Sequence, residues 1–299
     1  MKFQLFALGL CLVTAGTVHA RANDTLAKVQ ASGVVVLGVR DASGALSYAL
    51  GPGQYGGYQV DICHRIVARL EKEAGKKLAV KYQPVTSQNR VLLVQNGTVD
   101  IECGSTTHSA GRAKEAAFSI TTYVDEVGIV VRADSGISAL AQLTGKRIVT
   151  TKGTRSVQLL RKQERATGVE FREVIGKDHA DSFAKLASGQ ADAFVMNVQI
   201  LAGNMAAAKN PATYRILGET LSVEPVAIMF RKYDPAFKKM ADDTIRDLIR
   251  SGELAQLYDK WFIQPIPPHQ VRIGLPVSEA TQAAWATPND KPVEDYPKK

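Results

Sequence analysis

The chain has 299 residues, with 37 Lys and Arg against 29 Asp and Glu, a formal charge of +8, and 45% hydrophobic but only 7% aromatic residues. Its basic residues are interspersed with acidic ones, without a block of five or six, and the aromatics do not alternate with them. That pattern describes a solvated surface mildly attractive to anions and excludes a nucleic-acid groove. No stretch reaches 18 consecutive apolar residues, so no membrane-spanning helix is expected.

The N-terminus reads as a cleavable export signal, residues 1–20. Lys2 supplies the positive start, residues 3–13 are almost wholly apolar, and Val18-His19-Ala20 offers small residues for cleavage after Ala20. A lipoprotein reading would use Cys11, but Leu10 before it is not small. Cleavage leaves roughly 280 residues, a little under two average domains. It also leaves two cysteines, Cys63 in a helical pattern and Cys103 at a strand end. Export would let a disulfide persist, and two separate buried thiols are an equally good reading.

Residues 33–39 form a short β-branched run, the first expected strand. Gly56-Gly57 opens a helix carrying Val60, Ile62, Ile66, Val67 and Leu70 and ending near Gly75. A strand over 78–85, a short helix around 91–94 and a strand over 99–103 follow. This alternation points to a parallel sheet with right-handed crossovers. After an extended stretch over 123–132 the pattern restarts. A short helix is expected over 140–143, strands over 147–151, 169–175 and 191–196, and helices over 156–167, 181–188 and 200–209. A second extended run, 223–231, leads to helices over 235–250 and 253–262. Seven of the 12 prolines fall in the last 36 residues, which read as an extended, partly ordered tail.

Two α/β units with two extended connections imply a first lobe interrupted by a second, hinged on two strands; the alternative is one continuous doubly wound sheet. The expected division is 21–128 with 227–270 for the first lobe, 129–226 for the second, and 271–299 for the tail. Where strand-like runs stop, arginines and hydroxyls gather: Gly38-Val-Arg-Asp41, Thr86-Ser-Gln-Asn-Arg90, Glu102-Cys-Gly-Ser-Thr-Thr107 and Arg112. In an open α/β sheet those ends are where ligands sit. Three guanidinium groups there suit a small anion with more than one carboxylate, because the planar fork binds carboxylates bidentately.

These strings, with Leu93-Val-Gln-Asn-Gly97, Ala116-Ala-Phe-Ser119, Gly153-Thr154, Lys177-Asp-His179, Asp181-Ser-Phe183 and Trp261-Phe262 before Pro265-Ile-Pro-Pro268, resemble the periplasmic glutamate/aspartate-binding proteins of amino-acid ABC importers. The resemblance spans nearly the whole mature chain. It implies an α/β, two-lobed periplasmic-binding-protein-like fold of type II and a periplasmic monomer. That monomer would capture an acidic amino acid and deliver it to a membrane permease, with no cofactor, metal or nucleic acid. Arg112, with groups around Ser105 and Thr107, would clamp the α-carboxylate. Arg40, Ser87 and Arg90 would hold the side-chain carboxylate, and Thr154 and His179 would close the site from the second lobe.

Each residue also has an ordinary reading: Arg40 solvated at a strand end, Ser87 a helix cap, Ser105 and Thr107 satisfying a turn, Arg112 paired with Glu115, His179 structural. One departure stands out. The family places an acidic residue for the α-ammonium just after the strand ending at Met196, and this chain has Asn197 there. Losing that charge costs on the order of 1–3 kcal/mol. An amine-free dicarboxylate therefore remains an alternative ligand, as does an exported dehydratase-like enzyme using Glu102 or His179, or a sensory receptor acting through a partner.

Overall fold

The computed structural model describes residues 24–296; the export signal expected over 1–20 lies outside them. Helix α1 (Thr25–Ser32) leads into β1 (Val34–Val39). A small antiparallel sheet of β2 (Ala42–Ser43), β3 (Ser47–Gly51) and β4 (Gln54–Gly56), absent from the sequence reading, follows. Helix α2 (Tyr58–Ala74) buries Ile62, Cys63, Ile66, Val67 and Leu70 on one face and stops at Gly75 in the left-handed region. Then come β5 (Ala79–Pro84), α3 (Arg90–Gln95), β6 (Ile101–Glu102), the single turn α4 (Ala110–Ala113) and β7 (Ala116–Phe118).

The chain crosses to the second lobe on β8 (Tyr123–Arg132). There it forms β9 (Arg147–Thr151), α5 (Arg155–Thr167), β10 (Arg172–Gly176), α6 (His179–Ala187), β11 (Ala193–Asn197), α7 (Val198–Ala206) and β12 (Tyr214–Ile216). It returns on β13 (Ser222–Val226) to β14 (Met229–Arg231), α8 (Pro235–Arg250) and α9 (Glu253–Tyr258), and ends with α10 (Glu279–Ala286).

The first sheet runs β5-β1-β6-β14-β7 and the second β10-β9-β11-β8-β12, with β13 paired to β8. Parallel β1, β5 and β6 bring the ends of β1 and β6 to one edge, where Arg40 and the Gly104–Thr107 turn emerge. The crossings β8 and β13 are antiparallel, with Val124 opposite Pro225 and Asp125 opposite Glu224. Each lobe has its own apolar core, one around Leu37, Ile62 and Phe230, the other around Ile129, Ile148 and Phe194. Two cores joined by two strands make a two-lobed fold with a two-strand hinge.

Two readings need correction. Residues 99–103 form only a two-residue strand, although Asp100 N and Cys103 N still donate to Val36 O and Gly38 O. The segment 271–299 is not simply an extended tail, since α10 lies within it. Its sequence, Glu279-Ala-Thr-Gln-Ala-Ala-Trp-Ala286, is proline-free, rich in alanine, and capped by Ser278 accepting from Thr281 N. This helix straps the crossing strands: Thr281 Oγ1 bonds Val124 N and O, each at 3.1 Å, and Trp285 Nε1 donates to Thr122 O at 2.9 Å. A proline count over 36 residues concealed a helix between two of the prolines.

Cys63 and Cys103 are joined in a disulfide, Cα atoms 6.2 Å apart, a pairing the sequence left open. It ties the buried face of α2 to the residue just before the Gly104–Thr107 turn.

Candidate ligand-binding cleft

Arg40 leaves β1 with its backbone N donating to Ser47 Oγ at 3.0 Å. Its buried guanidinium donates through Nη2 to Ser87 Oγ at 2.9 Å and lies 3.3 Å from His179 Nε2. Arginine only donates, so Nε2 accepts, and Nδ1 carries the hydrogen toward Thr151 Oγ1 at 3.1 Å. Burial, reinforced by the Arg40 and Arg90 charges, holds His179 well below the usual imidazole range and therefore neutral. The contact joins the lobes: Arg40 belongs to the first, and His179 opens α6 of the second.

Arg90 begins α3 and is buried, and its Nε and Nη1 have no protein acceptor. Arg40 Nη1 is likewise unpartnered. Burial pulls the Arg90 guanidinium down to about 10, with Glu102 opposing that fall and Arg40 adding to it. Unmade hydrogen bonds on desolvated cations are costly and mark a place prepared for an anion. Glu102 lies beneath, its Oε2 accepting from Thr106 Oγ1 at 2.7 Å.

The Gly104–Thr107 turn presents Ser105, whose Oγ donates to Ser43 Oγ at 3.2 Å, and Thr107, whose Oγ1 donates to Glu224 Oε2 at 2.6 Å. Arg112 does not pair with Glu115; its Nη1 donates to Thr107 O at 2.9 Å. Desolvation in the cleft, then Arg90 beside it, pulls this partly exposed guanidinium down to about 9. From the second lobe, Thr154 directly precedes α5 and donates through Oγ1 to Thr151 O at 2.7 Å, and Asn197 ends β11 with Nδ2 3.5 Å from Glu224 Oε2. Eight of the nine residues singled out from the sequence line one small cavity, and Arg40 stands behind it on Ser87 and His179.

The lobes are closed over this cavity. Gly153 adopts φ +78°, and a Cβ there would sit 2.7 Å from the Gln88 backbone of the facing lobe. A Cβ on Gly44 would likewise fall 2.8 Å from Gln199 O.

Sequence reasoning missed Glu224. It is fully buried on the hinge strand β13, lines the cavity and pairs with Arg155 Nε at 3.0 Å. The available signal was a lone acid inside the run Val223-Glu-Pro-Val-Ala-Ile-Met-Phe230, where burial of an unpaired charge is prohibitive. Met196 completes the wall. Among the described residues, no group of three or more His, Cys, Asp or Glu is placed to hold a metal ion. Arg40, Arg90, Arg112 and Arg155 outnumber Glu102 and Glu224, so the cleft is complementary to a small dianion.

Two lobes closing on a charged cavity through a two-strand hinge define a solute-binding protein of the bacterial importer type. The model of bacterial extracellular solute-binding proteins, family 3, matches residues 35–264, and the chain belongs to that family. It is 41% identical over 286 residues to the glutamate/aspartate import solute-binding protein of Escherichia coli (strain K12), covering 95% of each chain. It is also 41% identical over 291 residues to the L-glutamate/L-aspartate-binding protein of Pseudomonas aeruginosa, covering 96% of each. Among solved structures, a periplasmic binding protein from Brucella ovis with glutathione bound superposes with a TM-score of 0.71 at 26% identity, over 78% of this chain and 73% of that one.

Proposed function

We propose that this protein is a periplasmic, non-enzymatic receptor that captures glutamate or aspartate and delivers it to the permease of an ABC importer. The observation that carries this reading is the set of buried guanidinium donors, Arg90 Nε and Nη1 and Arg40 Nη1, left without protein acceptors inside a closed cleft. In this reading Arg40, Ser87 and Arg90 take the side-chain carboxylate, and His179 Nε2 keeps Arg40 in place. Arg112, Ser105 and Thr107 take the α-carboxylate, while Thr154 and Asn197 complete the shell from the second lobe. The curated relatives supply the ligand class. Against an enzyme, both His179 nitrogens are committed to Arg40 and Thr151, and Glu102 does not line the cavity. Export with cleavage after Ala20 belongs to the same proposal, as does the division at 128 and 227 with a tail from 271.

Thermal unfolding with glutamate, aspartate, succinate and neutral amino acids tests the reading. A ligand present at a hundredfold its Kd stabilises the native state by about 2.7 kcal/mol. Glutamate or aspartate should raise the melting temperature and neutral amino acids should not; failure of both acidic amino acids overturns the proposal.

Closure has its own test at Gly153. The parent should contract on adding ligand, read as a smaller radius of gyration by small-angle scattering. Gly153→Val, with a side chain aimed at the Gln88 backbone and a strained φ, should stay expanded and bind more weakly. A variant that contracts and binds like the parent would remove Gly153 from the closing surface.

A further inference from the structure

A ligand with two carboxylates finds ample positive charge here; an amino acid also brings an ammonium, which those same arginines repel. Its nitrogen therefore needs a carboxylate within the cleft. Asn197 offers an amide, and Glu102 accepts from Thr106 below the turn and does not line the cavity. Among the described lining residues the acid is Glu224. Its Oε2 lies 2.6 Å from Thr107 Oγ1 and 3.5 Å from Asn197 Nδ2, between the first-lobe turn and the end of β11. Its Oε1 is 3.0 Å from Arg155 Nε.

We propose that Glu224, on the hinge strand, is the carboxylate that receives the ligand's α-ammonium, and that Arg155 sets how strongly it does so. This rests on the proposed acidic-amino-acid reading and names the group that separates such a ligand from an amine-free dicarboxylate of the same shape. Thr107 is placed to report both ligand groups, since it donates to Glu224 and its carbonyl is held by Arg112. An α-carbon beside Thr107 would carry its carboxylate toward Arg112 and its nitrogen toward Glu224. Arg155 competes for the same carboxylate: it pairs with Oε1 while its Nη1 reaches Glu294 of the tail at 3.5 Å. Discrimination for the amine is thus a balance between the incoming ammonium and a resident guanidinium.

The test is calorimetric titration of glutamate and of glutarate, which has both carboxylates and no amine, into the full chain and three variants. Glu224→Gln keeps the shape and an acceptor for Thr107 and should lose about tenfold to a hundredfold in glutamate affinity. It should bind glutarate at least as tightly as the parent, because a negative charge facing a dianion has gone. Adding Asn197→Asp to Glu224→Gln moves the carboxylate across the 3.5 Å contact and should restore glutamate binding.

Arg155→Gln, at a partly exposed helix start, avoids disturbing the buried strand and should raise the ratio of glutamate to glutarate affinity. If Glu224→Gln does not fold, that ratio decides, and an unchanged ratio overturns the assignment. Parallel losses of both ligands in Glu224→Gln, or no loss of glutamate, overturn it as well. A parent that binds glutamate while Glu224→Gln is indifferent removes this assignment alone. A parent that binds neither acidic amino acid removes the underlying reading and this one with it.

Discussion

Arg90→Met is expected to lower affinity for the acidic ligand by roughly 30-fold to several thousandfold while leaving the ligand-free protein no less stable. Truncating one partner of a buried, hydrogen-bonded charge pair costs about 2–5 kcal/mol, which is that range of affinity. Arg90 fits the case because it is buried and two of its donors await acceptors. Methionine keeps much of the apolar stem, so packing is largely retained. Without ligand the guanidinium is a desolvated cation beside Arg40, pulled down to about 10, and it contributes little or nothing to folding. Calorimetry and denaturant unfolding of the unliganded variant measure the two halves separately. Unchanged affinity would remove Arg90 from the site; a large loss of unliganded stability would show that it is held by the fold and not reserved for the ligand.

The second large effect is on stability. The disulfide closes a loop with a sequence separation of 40. In the chain-entropy model a loop of that size stabilises the native state by about 4 kcal/mol relative to the open chain. The double replacement Cys63→Ala with Cys103→Ala should lower the unfolding free energy by that order, on the scale of 10 °C in melting temperature for a protein of this size. Alanine is preferred to serine, because both sites are buried among apolar groups. Cys103 directly precedes the Gly104–Thr107 turn, so weaker ligand binding should accompany the loss. A variant melting with the parent under oxidising conditions would show that the bridge contributes nothing.

The helices and strands that carry the site were legible because their signals are local. The 235–250 helix was bounded from sequence alone as Pro235–Arg250, with proline at its first position and Asp234 accepting from Phe237 N. The strand over 147–151 and the helix ending at Thr167 were equally plain, one a β-branched run and the other closed by Gly168 in the left-handed region. The small sheet β2–β4 was not legible, since strands of two to five residues among glycines leave no period to read. The strap helix α10 was hidden by the prolines around it.

Eight of the nine candidate residues were found through motif strings and Asn197 as a departure from the family pattern, and arginine's chemistry pointed to a carboxylate ligand before any geometry was known. What no string conveyed was which donors would lack partners. Arg90 reads the same on a solvated helix as in a buried cleft, and only the second lobe closing over it makes its unmade hydrogen bonds meaningful. Glu224 is the sharper case. Its partner Thr107 is 117 positions away, its partner Arg155 69 positions away, and it sits in a segment read only as a crossing.

Residue types and local periodicity thus determined by themselves the α/β alternation, the two crossings, the basic cleft edge and the class of ligand it suits. Those properties follow from side-chain chemistry and from hydrogen bonds a few residues apart. Tertiary structure alone decided that Cys63 meets Cys103, that α10 clasps the hinge, that Gly153 and Gly44 let the lobes touch, and that a hinge-strand carboxylate lines the cavity. Each of those depends on bringing distant segments within a few ångströms. That is settled by burial of two separate cores and by the pairing of β8 with β13, neither of which is written into any short stretch of sequence.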